Sequence, residues 1–422
     1  MPPNYSRRSF LKTAAVFGAA SPFLAVKSAR AAGAQAPMMA YVGTYSSPTP
    51  YILQGQVAIT PGNGKGIHSF EVNRETGELT PRGVFEMSTS PNCLALNAAG
   101  TRLYSTNETE KLPEHDAGSI SSFAIDGKTG ELKLLNTVTS GGEGPSHLSV
   151  HPSGRFVLVA NYFGGSVEVI PILPDGSLGT PSDFKQDSGT LGAKHGTSGP
   201  PGNRTVSGHD RTHAHMFASD PSGRFVLSVE MGLDQILVWK FDDQTGRLTP
   251  NDPASVSLPT GDGPRHFAFH ANGRWLYSIQ EEASTVAFFE YDGANGRLTF
   301  KQALSCLPPG FAGSSIASEI LVSPDSRFVY AANRLHNTIA RFSIGENGML
   351  TYVGEEWVRG DSTRTFNFDP TGNFLYSCNQ KNDAVTLFRV DQKSGALNFT
   401  GSYTPVGSPA IIVFSDLAKL GT

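Results

Sequence analysis

Cysteine, tryptophan and charge are all scarce in this chain. Its three cysteines, Cys93, Cys306 and Cys378, are too few and too scattered for a disulfide framework or a thiolate metal site, and at least one stays unpaired. They read as small buried hydrophobes in strands. Charged residues are only 17% of the chain and the formal net charge is −4, so the positive field of a nucleic-acid binder is missing. That excludes nucleic acid as a partner. Beyond residue 26 no apolar run approaches the ~18 residues of a spanning helix, so no membrane span is expected in the mature protein. Turn formers, by contrast, are plentiful. The 46 glycines and 28 prolines beside 38% hydrophobic residues argue against disorder and against a helix-dominated protein.

The N-terminal segment reads as an export address. Ser6-Arg7-Arg8-Ser9-Phe10-Leu11-Lys12 precedes an apolar stretch from Thr13 to Val26, and Ser28-Ala29-Arg30-Ala31-Ala32 offers the small residues of a cleavage site. The paired arginines resemble a twin-arginine signal, which implies the twin-arginine export machinery as a partner and a periplasmic or extracellular location. The expected organisation is a removed signal over residues 1–36, one domain over 38–416 and a short tail over 417–422.

Self-similarity organises the rest. One phrase occurs six times, as His151-Pro-Ser-Gly-Arg-Phe-Val-Leu, Asp220-Pro-Ser-Gly-Arg-Phe-Val-Leu, His270-Ala-Asn-Gly-Arg-Trp-Leu-Tyr, Ser323-Pro-Asp-Ser-Arg-Phe-Val-Tyr, Asp369-Pro-Thr-Gly-Asn-Phe-Leu-Tyr and Asn97-Ala-Ala-Gly-Thr-Arg-Leu-Tyr. Each is a tight turn between short apolar runs, hence a hairpin. An alternating run follows, then a second turn such as Lys128-Thr-Gly-Glu-Leu or Lys393-Ser-Gly-Ala-Leu, then another strand. Four antiparallel strands per unit describe a propeller blade. The first unit lacks its opening strand, and Ser408-Pro-Ala-Ile-Ile-Val-Phe matches the missing one. The expected fold is therefore all-β, a seven-bladed β-propeller of four-stranded antiparallel blades, its ring closed by the C-terminal strand pairing near Tyr41. Insertions are expected at Ser46 to Lys65, Glu110 to Gly118 and Lys185 to Thr212.

Counting from the first residue of each hairpin turn aligns polar columns without gaps. Five residues before it stand Asn92, Ser146, His215, Arg265, Ser318 and Arg364, and four before it Cys93, His147, Met216, His266, Glu319 and Thr365. Ten after it stand Asn107, Asn161, Glu230, Gln280, Asn333 and Asn379, and eleven after it Glu108, Tyr162, Met231, Glu281, Arg334 and Gln380. The start of an inner strand lies beside the end of its neighbour, so these residues should gather at one mouth of the channel. Buried His, Arg and Glu need partners, and a ring of them suggests a pocket. The amides also fit a plainer role as strand caps.

Gly144-Pro-Ser-His147, Asn161-Tyr-Phe-Gly-Gly-Ser-Val167, Gly263-Pro-Arg-His266 followed by Glu281, Ser318-Glu-Ile320, Asn333-Arg334, and Arg364 with Asn379-Gln380 resemble the seven-bladed propeller lactonases of the 6-phosphogluconolactonase type. The resemblance implies hydrolysis of a sugar lactone to its open acid without a metal or other cofactor, and kinship with muconate cyclases of the same fold. Leu321 departs from the family's Glu-Ile-His phrase, and export fits poorly with a phosphorylated cytoplasmic substrate.

Lactone opening needs a base to activate water, donors for the oxyanion and protonation of the leaving oxygen. The catalytic candidates are His215 or His266 as base, Glu281 or Glu319 as orienting carboxylate, and Arg265. The substrate-binding candidates are Arg334, Arg364, His147, Glu230, Asn161 and Asn379. No Gly-x-Ser-x-Gly elbow supports a serine nucleophile. His209, His213 and His215 lie at a loop-to-strand boundary rather than on one helix face, a poor cradle for a metal. Two other readings use the same mouth: a non-catalytic propeller that binds a ligand or protein there, and a muconate-type cyclase with arginines as carboxylate clamps.

Overall fold

The computed structural model describes residues 36–47, 62–108 and 117–419. Residues 1–35, all of the expected signal segment but Ala36, lie outside the described residues. The propeller strands fall into seven sheets of four, each antiparallel throughout. Blade 1 takes its innermost strand from Pro409–Asp416, followed by Met38–Thr44, Gly66–Val72 and Leu79–Glu86. Tyr41 pairs with Val413 in that first ladder, so the ring closes where the sequence predicts. Blades 2 to 7 then begin at the inner strands Leu94–Leu96, Pro145–Val150, Ala214–Ser219, Pro264–Phe269, Ala317–Val322 and Thr363–Phe368.

In four of its copies the repeated phrase closes the inner hairpin because its first side chain accepts the backbone N–H five residues on, whereas His151 and His270 accept the N–H two residues on. Asp220 takes that of Phe225 at 3.1 Å and Asp369 that of Phe374 at 2.9 Å. The fourth position is left-handed (Gly154 φ 69°, Gly223 φ 75°), which favours glycine; Ser326 holds it at φ 60° in blade 6.

The core lies in the seams between blades rather than within them. Phe374, Tyr376, Met38 and Val42 pack where blade 7 meets blade 1, and comparable clusters fill the other seams. The seams also carry a recurring polar bond, in which a second-strand tyrosine donates to a glycine carbonyl in the next blade's outer turn. Tyr41 reaches Gly130 (2.8 Å), Tyr277 reaches Gly348 (2.9 Å), Tyr330 reaches Gly395 (2.6 Å) and Tyr376 reaches Gly77 (2.6 Å). The three cysteines are free and buried, and burial pushes the Cys93 and Cys378 thiols up to about 12.

The expected insertions fall between strands at the same end of the blades, and residues 48–61 and 109–116, most of the first two, lie outside the described residues. Two join second to third strands, in blades 1 and 2, and the third joins the outer strand of blade 3 to the inner strand of blade 4. The described ends of all three therefore lie where inner strands begin and second strands end. The third is shorter at its start than expected, because Lys185 still belongs to the strand Asp183–Gln186.

Candidate active site

Inner strands normally send successive side chains to opposite faces. Here the pairing register slips by one residue near the start of six inner strands, at Gly43/Thr44 against the closing strand and at Pro145/His147, Ala214/Met216, Pro264/His266, Ala317/Ile320 and Thr363/Thr365. The extra residues include Ser146, His215, Arg265 and Arg364, which are members of the column five before the turn. Such bulges re-aim side chains. They explain how Arg265 and His266, adjacent in sequence, both border the central cavity.

That cavity measures about 220 Å³. Asn92, His147, Arg265, His266, Glu319 and Arg364 line its polar part, and Leu148, Phe267, Ile320 and Leu321 its apolar part. Glu281 forms ion pairs with two guanidinium groups, at 2.9 Å from Arg265 Nε and 2.6 Å from Arg334 Nη2. Burial pushes its carboxyl up, but Arg334 and Arg265 outweigh that and hold it below its ordinary range. Arg265 also donates from Nη1 to the Ser318 carbonyl. Burial and the neighbouring Arg364 bring the Arg265 pKa down to about 10, so it remains charged at neutral pH.

His266 Nδ1 lies 3.0 Å from Glu319 Oε1. Burial lowers its pKa; Glu319 opposes that and Arg265 adds to it, leaving the ring neutral at pH 7 with Nδ1–H donated to the carboxylate. His147 and His215 meet His266 edge-on, with centroids at 5.4 and 5.1 Å. Burial holds both well below the ordinary histidine range. Sequence reasoning left two carboxylates open as orienters; the structure gives Glu319 to the imidazole and commits Glu281 to arginines.

Arg364 is 9% exposed, and its guanidinium makes no hydrogen bond or ion pair among the described residues. It stands over the Tyr45 ring at 5.3 Å. The Tyr45 hydroxyl donates to Glu108 Oε2 at 2.8 Å, and Asn92 Nδ2 donates to that same carboxylate oxygen. Burial lowers the Arg364 pKa, but Tyr45, Glu108 and Glu281 outweigh it, so its charge is secure. Tyr45 escaped the sequence ruler because blade 1 is split between the chain's two ends. It is nevertheless the seventh member of the column that holds Glu108, Glu281 and Arg334. The signal was its place directly after the second strand, Met38–Thr44.

Three expected substrate contacts turn away from the cavity. Asn161 donates to Ser140 O (2.9 Å) and Asn379 to Val358 O (3.3 Å), each a carbonyl just past the outer strand of the preceding blade. Glu230 accepts the backbone N–H groups of His213 and Leu233, the latter at 2.7 Å. All three are fully buried and knit seams and turns. His213 stacks on Tyr162 at 4.3 Å, while His209 lies between Asp234 (3.0 Å) and Glu282 (3.1 Å). Burial works against a charge on His209, but those two carboxylates outweigh it and lift its pKa to about 10.

A seven-bladed propeller whose bulged inner strands bring arginines, one of them unpaired among the described residues, and a carboxylate-held imidazole to one channel mouth is equipped for acyl chemistry on a small ligand. The chain belongs to the lactonase, 7-bladed β-propeller family, which matches residues 39–414. It is 33% identical over 375 residues to 6-phosphogluconolactonase of Bacillus subtilis (strain 168), covering 89% of this chain and 97% of the relative. It is 31% identical over 339 residues to 6-phosphogluconolactonase of Formosa agariphila, covering 79% and 91%. Among solved structures, the periplasmic gluconolactonase PpgL of Pseudomonas aeruginosa superposes with a TM-score of 0.77 at 28% identity, covering 89% of this chain and 98% of that one.

Proposed function

We propose that this chain is an exported lactonase that opens an unphosphorylated sugar lactone to its aldonate. The observation that carries this reading is the buried guanidinium of Arg364, unshared among the described residues, in the same cavity as the His266–Glu319 pair. Water positioned against His266 Nε2 attacks the lactone carbonyl carbon while the ring takes its proton. The carbonyl oxygen gains negative charge and accepts N–H groups of Arg364. Collapse breaks the bond from carbonyl carbon to ring oxygen, and the imidazolium returns the proton to that leaving oxygen. Glu319 fixes the tautomer and steadies the imidazolium.

The charge balance supports an unphosphorylated substrate. Among the described residues Arg265 and Arg334 share Glu281, which leaves Arg364 as the one arginine of the group without an acidic partner at ion-pair distance. One free guanidinium suits a neutral lactone with a developing oxyanion, whereas a phosphomonoester dianion calls for a second. The twin-arginine address points the same way, toward lactones met outside the cytoplasm. The test is acid release above the spontaneous rate from glucono-1,5-lactone and from its 6-phosphate. A kcat/KM at least about 10-fold higher for the unphosphorylated lactone is expected, since a single unmatched charge is worth more than about 1.4 kcal/mol in such a site. Equal or reversed preference would overturn the phosphate argument, and no turnover of either would overturn the lactonase reading.

A further inference from the structure

We propose that His209 is a positioning residue of this site, an ionic bridge that sets the geometry of Arg265, His266 and Glu281 without touching the substrate. The proposal rests on the reading of the channel mouth as the active site. His209 lies in the long insertion between blades 3 and 4, and its side chain is fully buried. Its two nitrogens meet two carboxylates, and each of those holds backbone that leads into the cavity.

On one side Asp234 accepts the N–H of Gly261 (2.6 Å) and of Gly263 (2.9 Å), the loop that runs directly into Pro264, Arg265 and His266. On the other side Glu282 follows Glu281, the partner of Arg265 and Arg334. Its Oε1 accepts from the Ser207 hydroxyl (2.7 Å) and the Gly208 amide (2.9 Å) as well as meeting His209. Asn203 and Thr205 bind the Glu282 carbonyl at 2.7 and 3.0 Å. Removing the imidazole would leave two buried carboxylates facing each other with no cation between them, and both supporting loops would shift apart.

The same bridge fastens the insertion over the face. Gly313 N–H donates to Pro201 O at 2.8 Å, the Arg204 amide donates to Ser314 Oγ at 3.0 Å, and the Tyr162 hydroxyl donates to Ser207 O at 3.4 Å. The insertion thus reaches from blade 3 to the loop before blade 6 and returns beside Tyr162, which lies edge-on to His215 at 5.2 Å. Lys194, Arg204 and Arg211 are tryptic sites on it, the first two in its middle.

The full chain is compared with His209→Gln, which keeps similar size and one hydrogen bond but loses the cation, and with His209→Lys, which keeps the cation. Assays use glucono-1,5-lactone well below each melting temperature. For His209→Gln the expected result is a loss of about 100-fold in kcat with KM within about threefold, the scale of an ångström of misplacement. Trypsin is expected to cut this variant after Lys194 and Arg204, where wild type resists, and His209→Lys to recover most of both properties. An unchanged kcat in His209→Gln overturns the proposal whether or not the insertion is cut. A loss that His209→Lys does not recover overturns it too. Should His209→Gln not fold, the paired change His209→Gln with Asp234→Asn, which removes one anion with the cation, is read by the same criteria. A wild-type chain inert toward lactones overturns the functional reading instead, and the tryptic pattern still decides whether His209 holds the insertion.

Discussion

At the scale of single residues, buried ionisable groups divide by whether they have partners. Arg364 has none at hydrogen-bond distance among the described residues, and its truncation should act on chemistry rather than on folding. Arg364→Ala is expected to lower kcat/KM by about 100-fold or more, as loss of an oxyanion donor does, with the melting temperature nearly unchanged. His266 gives a pH prediction with a definite sign. Its pKa lies below the ordinary 6.5, so kcat/KM should be level at neutral pH and fall on the acid side as the ring is protonated. Because Glu319 raises that pKa, Glu319→Gln should move the acid limb to lower pH while lowering the plateau. An acid limb that stays in place would remove Glu319 from the mechanism.

Glu168, on the third strand of blade 3, is a different case. It is 2% exposed, its Oε2 has no hydrogen-bond partner among the described residues, and burial pushes its carboxyl up to about 8. An acid raised in the fold binds a proton that the unfolded chain has released, so stability falls as pH rises from the ordinary carboxyl value toward about 8. At pH 7 the cost is on the order of 3 kcal/mol. Glu168→Gln should therefore stabilise the protein, with the gain in melting temperature growing from about pH 5 to about pH 8. A gain that does not change with pH would assign the effect to packing.

At the scale of elements, two sequence phrases that look independent are halves of one contact. The hairpin phrase ends in tyrosine in four of its copies, and the second turn carries a glycine; the tyrosine hydroxyl finds that glycine's carbonyl across a seam, as Tyr330 finds Gly395. Tyr330→Phe, which leaves that carbonyl without its donor, is expected to cost about 1 kcal/mol by denaturant unfolding. Strands, hairpins and the displaced closing strand were legible because each has a local signature in turn residues and alternation. The columns were legible as offsets but not as directions. Alternation alone cannot place both Arg265 and His266 at the cavity, since the slip between Pro264 and His266 is a property of the pairing. Nor could it show that Asn161 and Asn379 end strands facing a seam, because their carbonyl partners sit about 20 residues upstream in another blade. The bridge at His209 was harder still, since His209, Asp234 and Glu282 come from three loops with no shared spacing.

At the scale of the molecule, every polar group of the site depends on neighbours in adjoining blades. Arg265 and Glu281 belong to blade 5, Arg334 to blade 6, Arg364 to blade 7 and Tyr45 to blade 1. Ring closure is therefore a condition for chemistry as well as for stability. The closing strand pairs Met38–Thr44 along its length, and its Ala410 and Ile412 carbonyls accept from Thr365 (2.8 Å) and Asn367 (3.0 Å) of blade 7. A chain stopped at Gly407 would expose that ladder edge and both flanking seams. It is expected to lose its cooperative thermal transition and all lactone turnover, and to associate through the open edge. A synthetic peptide carrying residues 408–422 offers the missing strand in trans, so mixing it with the shortened chain should restore a single transition and measurable turnover by strand addition. A shortened chain that unfolds cooperatively and turns over lactone at the full rate without the peptide would show that closure does not hold the site together.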